Sequence, residues 1–161
     1  MTGTLDLTKA AHVGIAVADL DRSVQFYRTL TGREPIVSHE HIHGQGFAET
    51  EGLSGHAEVR YATFNLENIG IDLIEFQAPQ GEPSNPAANR PGSAHLCFHV
   101  EDVDATCKRI IDAGIPLLGE PYTFAEGEVT PDDAVGTRVA YFNDPDGTNL
   151  EIIAPKGGFA N

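Results

Sequence analysis

The chain has 161 residues, 40% of them hydrophobic and 21% charged, enough for one well-packed domain or two small modules. Ten Lys+Arg stand against 24 Asp+Glu, and no basic run marks either end, which argues against nucleic acid and anionic membrane as partners and leaves small molecules as the default. No apolar stretch approaches a membrane span and Met1–Ala11 lacks the pattern of a secretory signal, so a cytoplasmic location is expected. Cys97 and Cys107 have no metal or redox spacing and read as free thiols.

In chain order, His12-Val-Gly-Ile-Ala-Val17 reads as an apolar strand, and Asp19 as the cap of a helix over Leu20–Thr31 that stops at Gly32. Strand-like runs follow at Glu34–Ser38 and Val59–Leu66. Gly44–Gly55, polar and glycine-rich, reads as a long exposed loop, and Asp72–Pro79 closes the unit as a strand. After a Pro- and Asn-rich connection the pattern restarts. His95-Leu-Cys-Phe-His-Val100 leads through Asp102 into a helix over Val103–Ala113 with Gly114 behind it. Strands are expected at Pro116–Leu118 and Arg138–Asn143, and an Asp144-Pro-Asp-Gly147 turn feeds the last strand. His12, Val17, Asp19 and Asp21 thus repeat as His95, Val100, Asp102 and Asp104, and Glu75 and Glu151 each stand four residues before a proline. The expected fold is α+β: two tandem βαβββ modules, about 9–79 and 92–156 with a linker at about 80–91, forming a curved eight-stranded mixed sheet within a single domain over 1–161.

Residues two apart share a face of a strand, so His12, Gly14 and Ala16 lie together, as do His95, Cys97 and His99. Two histidines and two carboxylates, His12, Glu75, His95 and Glu151, would converge if the two sheets packed with their polar faces together. That is a metal site in outline, of imidazole and carboxylate type, suited to a divalent ion such as Zn, Ni, Co, Mn or Fe. The alternative is two satisfied core histidines and two edge-strand charges. His39, His41 and His43 share a face if extended, and read as a solvated or mouth-of-site cluster ahead of a second metal site.

At these residues the sequence resembles the vicinal oxygen chelate superfamily of glyoxalases, bleomycin-resistance proteins and extradiol dioxygenases. The resemblance rests on His12-Val-Gly-Ile-Ala-Val with Asp19-Leu-Asp, on Ile74-Glu75, on Gly92-Ser-Ala-His95-Leu-Cys-Phe and on Asp144-Pro-Asp-Gly-Thr-Asn-Leu-Glu151-Ile, over about His12 to Pro155. It implies one divalent ion per site held by His12, Glu75, His95 and Glu151, in a ligand pattern similar to glyoxalase I and methylmalonyl-CoA epimerase. It implies an enzyme that chelates a small oxygen-bearing substrate and moves a proton through an enediolate-type intermediate: an isomerase, epimerase or lyase. Glu58, seventeen residues before Glu75, resembles a catalytic base of such epimerases, and a detachable ligand carboxylate such as Glu151 is the other candidate. Arg60 is a candidate partner for an anionic substrate group, the alternative being a surface ion pair, and His99 is a candidate cavity-lining group. The other readings are an extradiol-type iron dioxygenase using His12, His95 and Glu151, and a metal-free ligand-sequestering protein. A homodimer is expected, and the loops at Gly44–His56 and Tyr122–Gly136 are candidate lids.

Overall fold

The computed structural model describes residues 5, 7–83 and 87–159, with His39 described in its backbone only. The chain forms two compact units, Met1–Pro83 and Ser84–Asn161. In the first, strand β1 (His12–Ala16) leads into helix α1 (Leu20–Thr31), followed by β2 (Val37–Gly44), helix α2 (Gln45–Thr50), β3 (Ala57–Asn65) and β4 (Gly70–Ala78). The second runs β5 (His95–His99), α3 (Val103–Asp112), β6 (Tyr122–Thr123), β7 (Arg138–Asn143) and β8 (Asn149–Ala154). Single 3-10 turns lie at Asp132–Ala134 and Gly157–Phe159.

The α+β class holds, and among the described residues the strands form two mixed four-stranded sheets of matching topology, ordered β1-β4-β3-β2 and β5-β8-β7-β6. The parallel pairs are β1 with β4 and β5 with β8, because a helix lies between the first strand and its sheet partner; the other neighbours are antiparallel.

Helices α1 and α3 begin where their aspartate caps direct. The Asp19 carboxylate accepts from Arg22 N at 3.0 Å and that of Asp102 from Ala105 N at 2.9 Å, satisfying a first-turn donor in each case. Gly32 ends α1 in the left-handed conformation at φ 66, its N–H donating to the Arg28 carbonyl. Leu20, Ser23, Val24 and Tyr27 form the buried stripe of α1, and Tyr27 meets Phe64 of β3 with ring centres 6.2 Å apart. Val103, Cys107 and Ile110 repeat that stripe on α3. One face of each sheet is therefore fixed against its helix, with Phe64, Ile71 and Leu73 fully buried in the first unit and Phe142, Leu150 and Ile152 nearly so in the second. Each such side chain contributes roughly 1.5–3 kcal/mol through removal from water.

Three elements depart from the sequence reading. The strand expected at Glu34–Ser38 runs through the histidine-rich segment to Gly44, with a register shift between Ser38 and Glu40. The loop expected over Gly44–Gly55 contains α2, which packs against β2 and β3 and buries Ala48 completely. The strand expected at Pro116–Leu118 is reduced to one bridge between Leu117 and Phe142, and the outer strand of the second sheet is β6. Among the described residues no helix is long and apolar enough to cross a membrane.

Candidate metal centre

The face of each sheet turned away from its helix carries a histidine beside a carboxylate. In the second unit the register pairs His95 with Asn149 and Cys97 with Glu151, while Tyr141 of β7 lies opposite Glu151 on its other side. Alternation puts His95, Cys97, Tyr141 and Glu151 on one face, opposite the core residues Leu150 and Ile152. His95 Nε2 stands 2.9 Å from Glu151 Oε2, and the Glu151 side chain is only 8% exposed. The Cys97 thiol and the Tyr141 hydroxyl both donate to this carboxylate. Their own ionisation is suppressed: burial first, then the Glu151 charge and hydrogen bond, push Cys97 up to about 12, and burial followed by the Glu151 hydrogen bond pushes Tyr141 to about 12. Both stay neutral donors at any physiological pH. The Tyr141 ring also meets the His95 imidazole edge-on, centres 6.1 Å apart.

In the first unit the register pairs His12 with Gly70 and Gly14 with Asp72. The residue in the place of Glu151 is therefore Asp72, not Glu75. His12 Nε2 lies 3.6 Å from Asp72 Oδ2, and Thr63 Oγ1, directly opposite on β3, donates to Oδ1 at 2.7 Å. Glu75 shares its face with the buried Ile71 and Leu73, on the helix side of the sheet. There Arg60 Nη1 donates to Glu75 Oε2 at 3.0 Å and Arg60 Nη2 to Asp21 Oδ2 of α1 at 3.3 Å. The expected grouping of Glu75 with His12 is thus corrected, for a physical reason: three residues along a strand invert the face.

Glu58 precedes Arg60 by two and so lies on the same helix-side face, exposed, away from the face of His12 and Asp72. Arg60, expected to meet an anionic substrate group, is held by two carboxylates of its own chain. His99 follows Cys97 on the histidine face of β5 and is exposed. Asp72 was missed by sequence reasoning, and the signal that finds it is the strand alternation itself, which separates Asp72 from the apolar pair Ile71 and Leu73. The segment Tyr122–Gly136 carries β6 and the 3-10 turn, whose Ala134 is buried and whose Asp133 accepts from Gly158 N at 3.0 Å. A groove of about 660 Å³ runs between α3 and the segment 117–121, lined by Cys107, Ile111 and Arg138, on the side of its sheet opposite Glu151.

Among the described residues no three His, Cys, Asp or Glu side chains form a ready-made metal cluster. The pairs nonetheless fit an ion. Two donors on one ion at ~2.1 Å, bound at right angles or tetrahedrally, are roughly 3.0–3.4 Å apart. The separations of 2.9 Å and 3.6 Å bracket that span. Donors from neighbouring side chains also fix which oxygen each carboxylate presents, as outer partners of metal ligands do.

Residues 9–152 match the model of the glyoxalase/bleomycin resistance protein/dioxygenase superfamily, and the chain belongs to that superfamily. It is 30% identical over 145 residues to a 2-epi-5-epi-valiolone epimerase from Actinomyces sp., covering 88% of this chain and 76% of that protein. It is 28% identical to a probable lactoylglutathione lyase from Synechocystis sp., covering 88% of this chain and 92% of the relative. A glyoxalase family protein from Bacillus cereus shares the fold, with a TM-score of 0.66 at 20% identity over 98% of this chain and 99% of that one.

Proposed function

We propose that the protein is a divalent-metal-dependent isomerase, epimerase or lyase acting on a small oxygen-bearing substrate, with His12, Asp72, His95 and Glu151 as the metal ligands. The observation that carries this reading is the repetition of a histidine–carboxylate pair at matching register positions in both sheets, at 3.6 Å and 2.9 Å. The two relatives, an epimerase and a lyase, support the reaction class.

A divalent ion held there supplies Lewis acidity toward neighbouring substrate oxygens and so eases loss of an adjacent C–H proton. The chain's own groups do the rest. Glu151, nearly buried and ringed by donors, is the carboxylate placed to take up and return that proton. Tyr141 and Cys97, held neutral, keep it oriented and offer O–H and S–H hydrogen bonds rather than negative charge. Thr63 holds Asp72 in its rotamer. Glu58, on the opposite face of its sheet, has no part in this proton transfer.

The test is elemental analysis of untagged protein purified anaerobically, beside D72N and E75Q, with deuterium exchange from solvent into 2-oxo compounds and acyl thioesters. Stoichiometric metal kept in E75Q and lost in D72N, with solvent exchange that ignores anaerobiosis, supports the reading. Iron with oxygen consumption would replace it with the dioxygenase, and absence of metal with a sequestering protein.

A further inference from the structure

The histidine-rich segment has no place in the proposed chemistry, yet the register gives it a definite geometry. His41 lies opposite Arg60 and His43 opposite Glu58 across β2 and β3. His41 and His43, two apart, share a face of β2, while His56 immediately precedes β3, two residues before Glu58. Because His43 and Glu58 are direct cross-strand partners, His41, His43 and Glu58 share the helix-side face of this ribbon, and these three and His56 are exposed. The His43 and His56 rings are already neighbours, centres 6.0 Å apart and planes inclined by 35°.

We propose that His43 and His56, joined by Glu58 or His41, bind a divalent transition-metal ion on this strand surface, separate from the histidine–carboxylate pairs. Two imidazoles on one tetrahedral ion through bonds of ~2.1 Å have ring centres roughly 5 Å apart, so the observed pair needs to close by about 1 Å. Directly opposed side chains have β-carbons about 4.5–5.5 Å apart, which brings Glu58 within reach by a rotamer change of an exposed side chain. Arg60, opposite His41, is held by Glu75 and Asp21, whose carboxylates offset its charge. Imidazole with one carboxylate selects zinc, nickel, cobalt or copper over magnesium or calcium. The ion has a structural consequence. His43 is the penultimate residue of β2 and His56 immediately precedes β3, so the metal staples the neck of the excursion that carries α2, and closing a loop in this way restricts its opening.

The experiment titrates the metal-free full chain with zinc, alongside H43A/H56A and H12A/H95A, and follows hydrogen exchange over residues 45–55. Wild type is expected to bind one equivalent that H43A/H56A lacks or binds at least about tenfold more weakly. H12A/H95A should keep that equivalent, and zinc should slow exchange over 45–55 in it as in wild type. Undiminished zinc binding by H43A/H56A, or unaltered exchange over 45–55 in zinc-loaded H12A/H95A, overturns the proposal. The exchange measurement leaves all the proposed strand-surface ligands intact and, read in wild type, stands even if an alanine variant does not fold. Failure of the catalytic reading appears separately, as a zinc stoichiometry in H12A/H95A equal to that of wild type.

Discussion

Arg60 and Glu75 face each other across β3 and β4 with Nη1 and Oε2 3.0 Å apart, and the matching position in the second unit sets Arg138 opposite Ala154. Both arginines also reach an aspartate in the first turn of their unit's opening helix, Arg60 to Asp21 of α1 and Arg138 to Asp104 of α3 at 2.6 Å, so the ion pair belongs to the repeat and Glu75 is an addition peculiar to the first unit. Glu75 therefore acts as a helix-side anchor for a largely buried guanidinium. E75Q is expected to lower stability in urea by about 1–2 kcal/mol, since both side chains are about four-fifths removed from water. Its metal content should equal wild type; loss of metal would return Glu75 to the ligand set.

The neutral donors around Glu151 make the protein sensitive to alkali. Cys97 and Tyr141 have folded pKa values of about 12 against ordinary values of 9.0 and 10.0. The folded state thus keeps protons that the unfolded chain has released, and stability contributed by these groups is complete below pH 9 and lost as pH rises toward 12. Thermal melts of metal-free protein across that window should show a falling midpoint. In E151Q the fall should be smaller but present, because burial is the larger cause in both cases. A midpoint independent of pH would remove the coupling.

Thiol reactivity reads the same site in another way. The thiolate, not the thiol, is the attacking species. Cys97, although on an open sheet face, should react with iodoacetamide at neutral pH far more slowly than free cysteine, and Cys107, held neutral chiefly by burial, should be slow as well. E151Q should speed Cys97 alone. Equal acceleration at both positions, located by mass spectrometry, would indicate loosening of the unit instead.

The helices were legible because their signals are local. Asp19 with Gly32, and Asp102 with Gly114, state where each starts and stops within the segment itself, and α1 matches its expected span residue for residue. α2 offers no such signal: it has no side-chain cap and is held by burial of Ala48 against the sheet, a tertiary effect. β2 was misplaced because His-Glu-His-Ile-His lacks apolar alternation, while an edge strand needs only one partner. Alignment of the two units from their prolines sets Glu75 against Glu151, whereas the register sets Asp72 beside His12 as Glu151 stands beside His95. β4 has nine residues and β8 six, and that difference of three is the step from Asp72 to Glu75. Aligned instead from His12 and His95, with the register known, the repeat selects Asp72.

Gly70 lies opposite His12, and a β-carbon there would come within 3.2 Å of the His12 β-carbon and 3.4 Å of the Ala11 carbonyl oxygen. G70A is expected to displace His12 by a few tenths of an ångström and to cost about 1 kcal/mol or more of stability. Metal retention under dialysis against a weak chelator should fall more than the melting midpoint does. If both are unaltered, the first strand has room to yield and His12 is not tightly positioned.

Asp144 sets the geometry from which β8, and with it Glu151, departs. Its side chain is nearly buried and its Oδ1 accepts from Asp146 N at 2.9 Å and Thr148 N at 2.8 Å, while Gly147 takes φ 90, a conformation that side-chain-bearing residues rarely adopt. D144A leaves two turn N–H groups without that acceptor, and a cost of about 2–3 kcal/mol is expected from losing hydrogen bonds to a charged group. The turn also fixes where β8 begins its pairing with β5, so loosening it disturbs the 2.9 Å contact between His95 and Glu151. D144N keeps an acceptor oxygen and should recover most of the stability. The discriminating readout is metal affinity in D144N and D144A compared at matched fractions folded: weaker binding in D144A alone places the turn upstream of the metal centre, whereas equal affinity would confine Asp144 to folding.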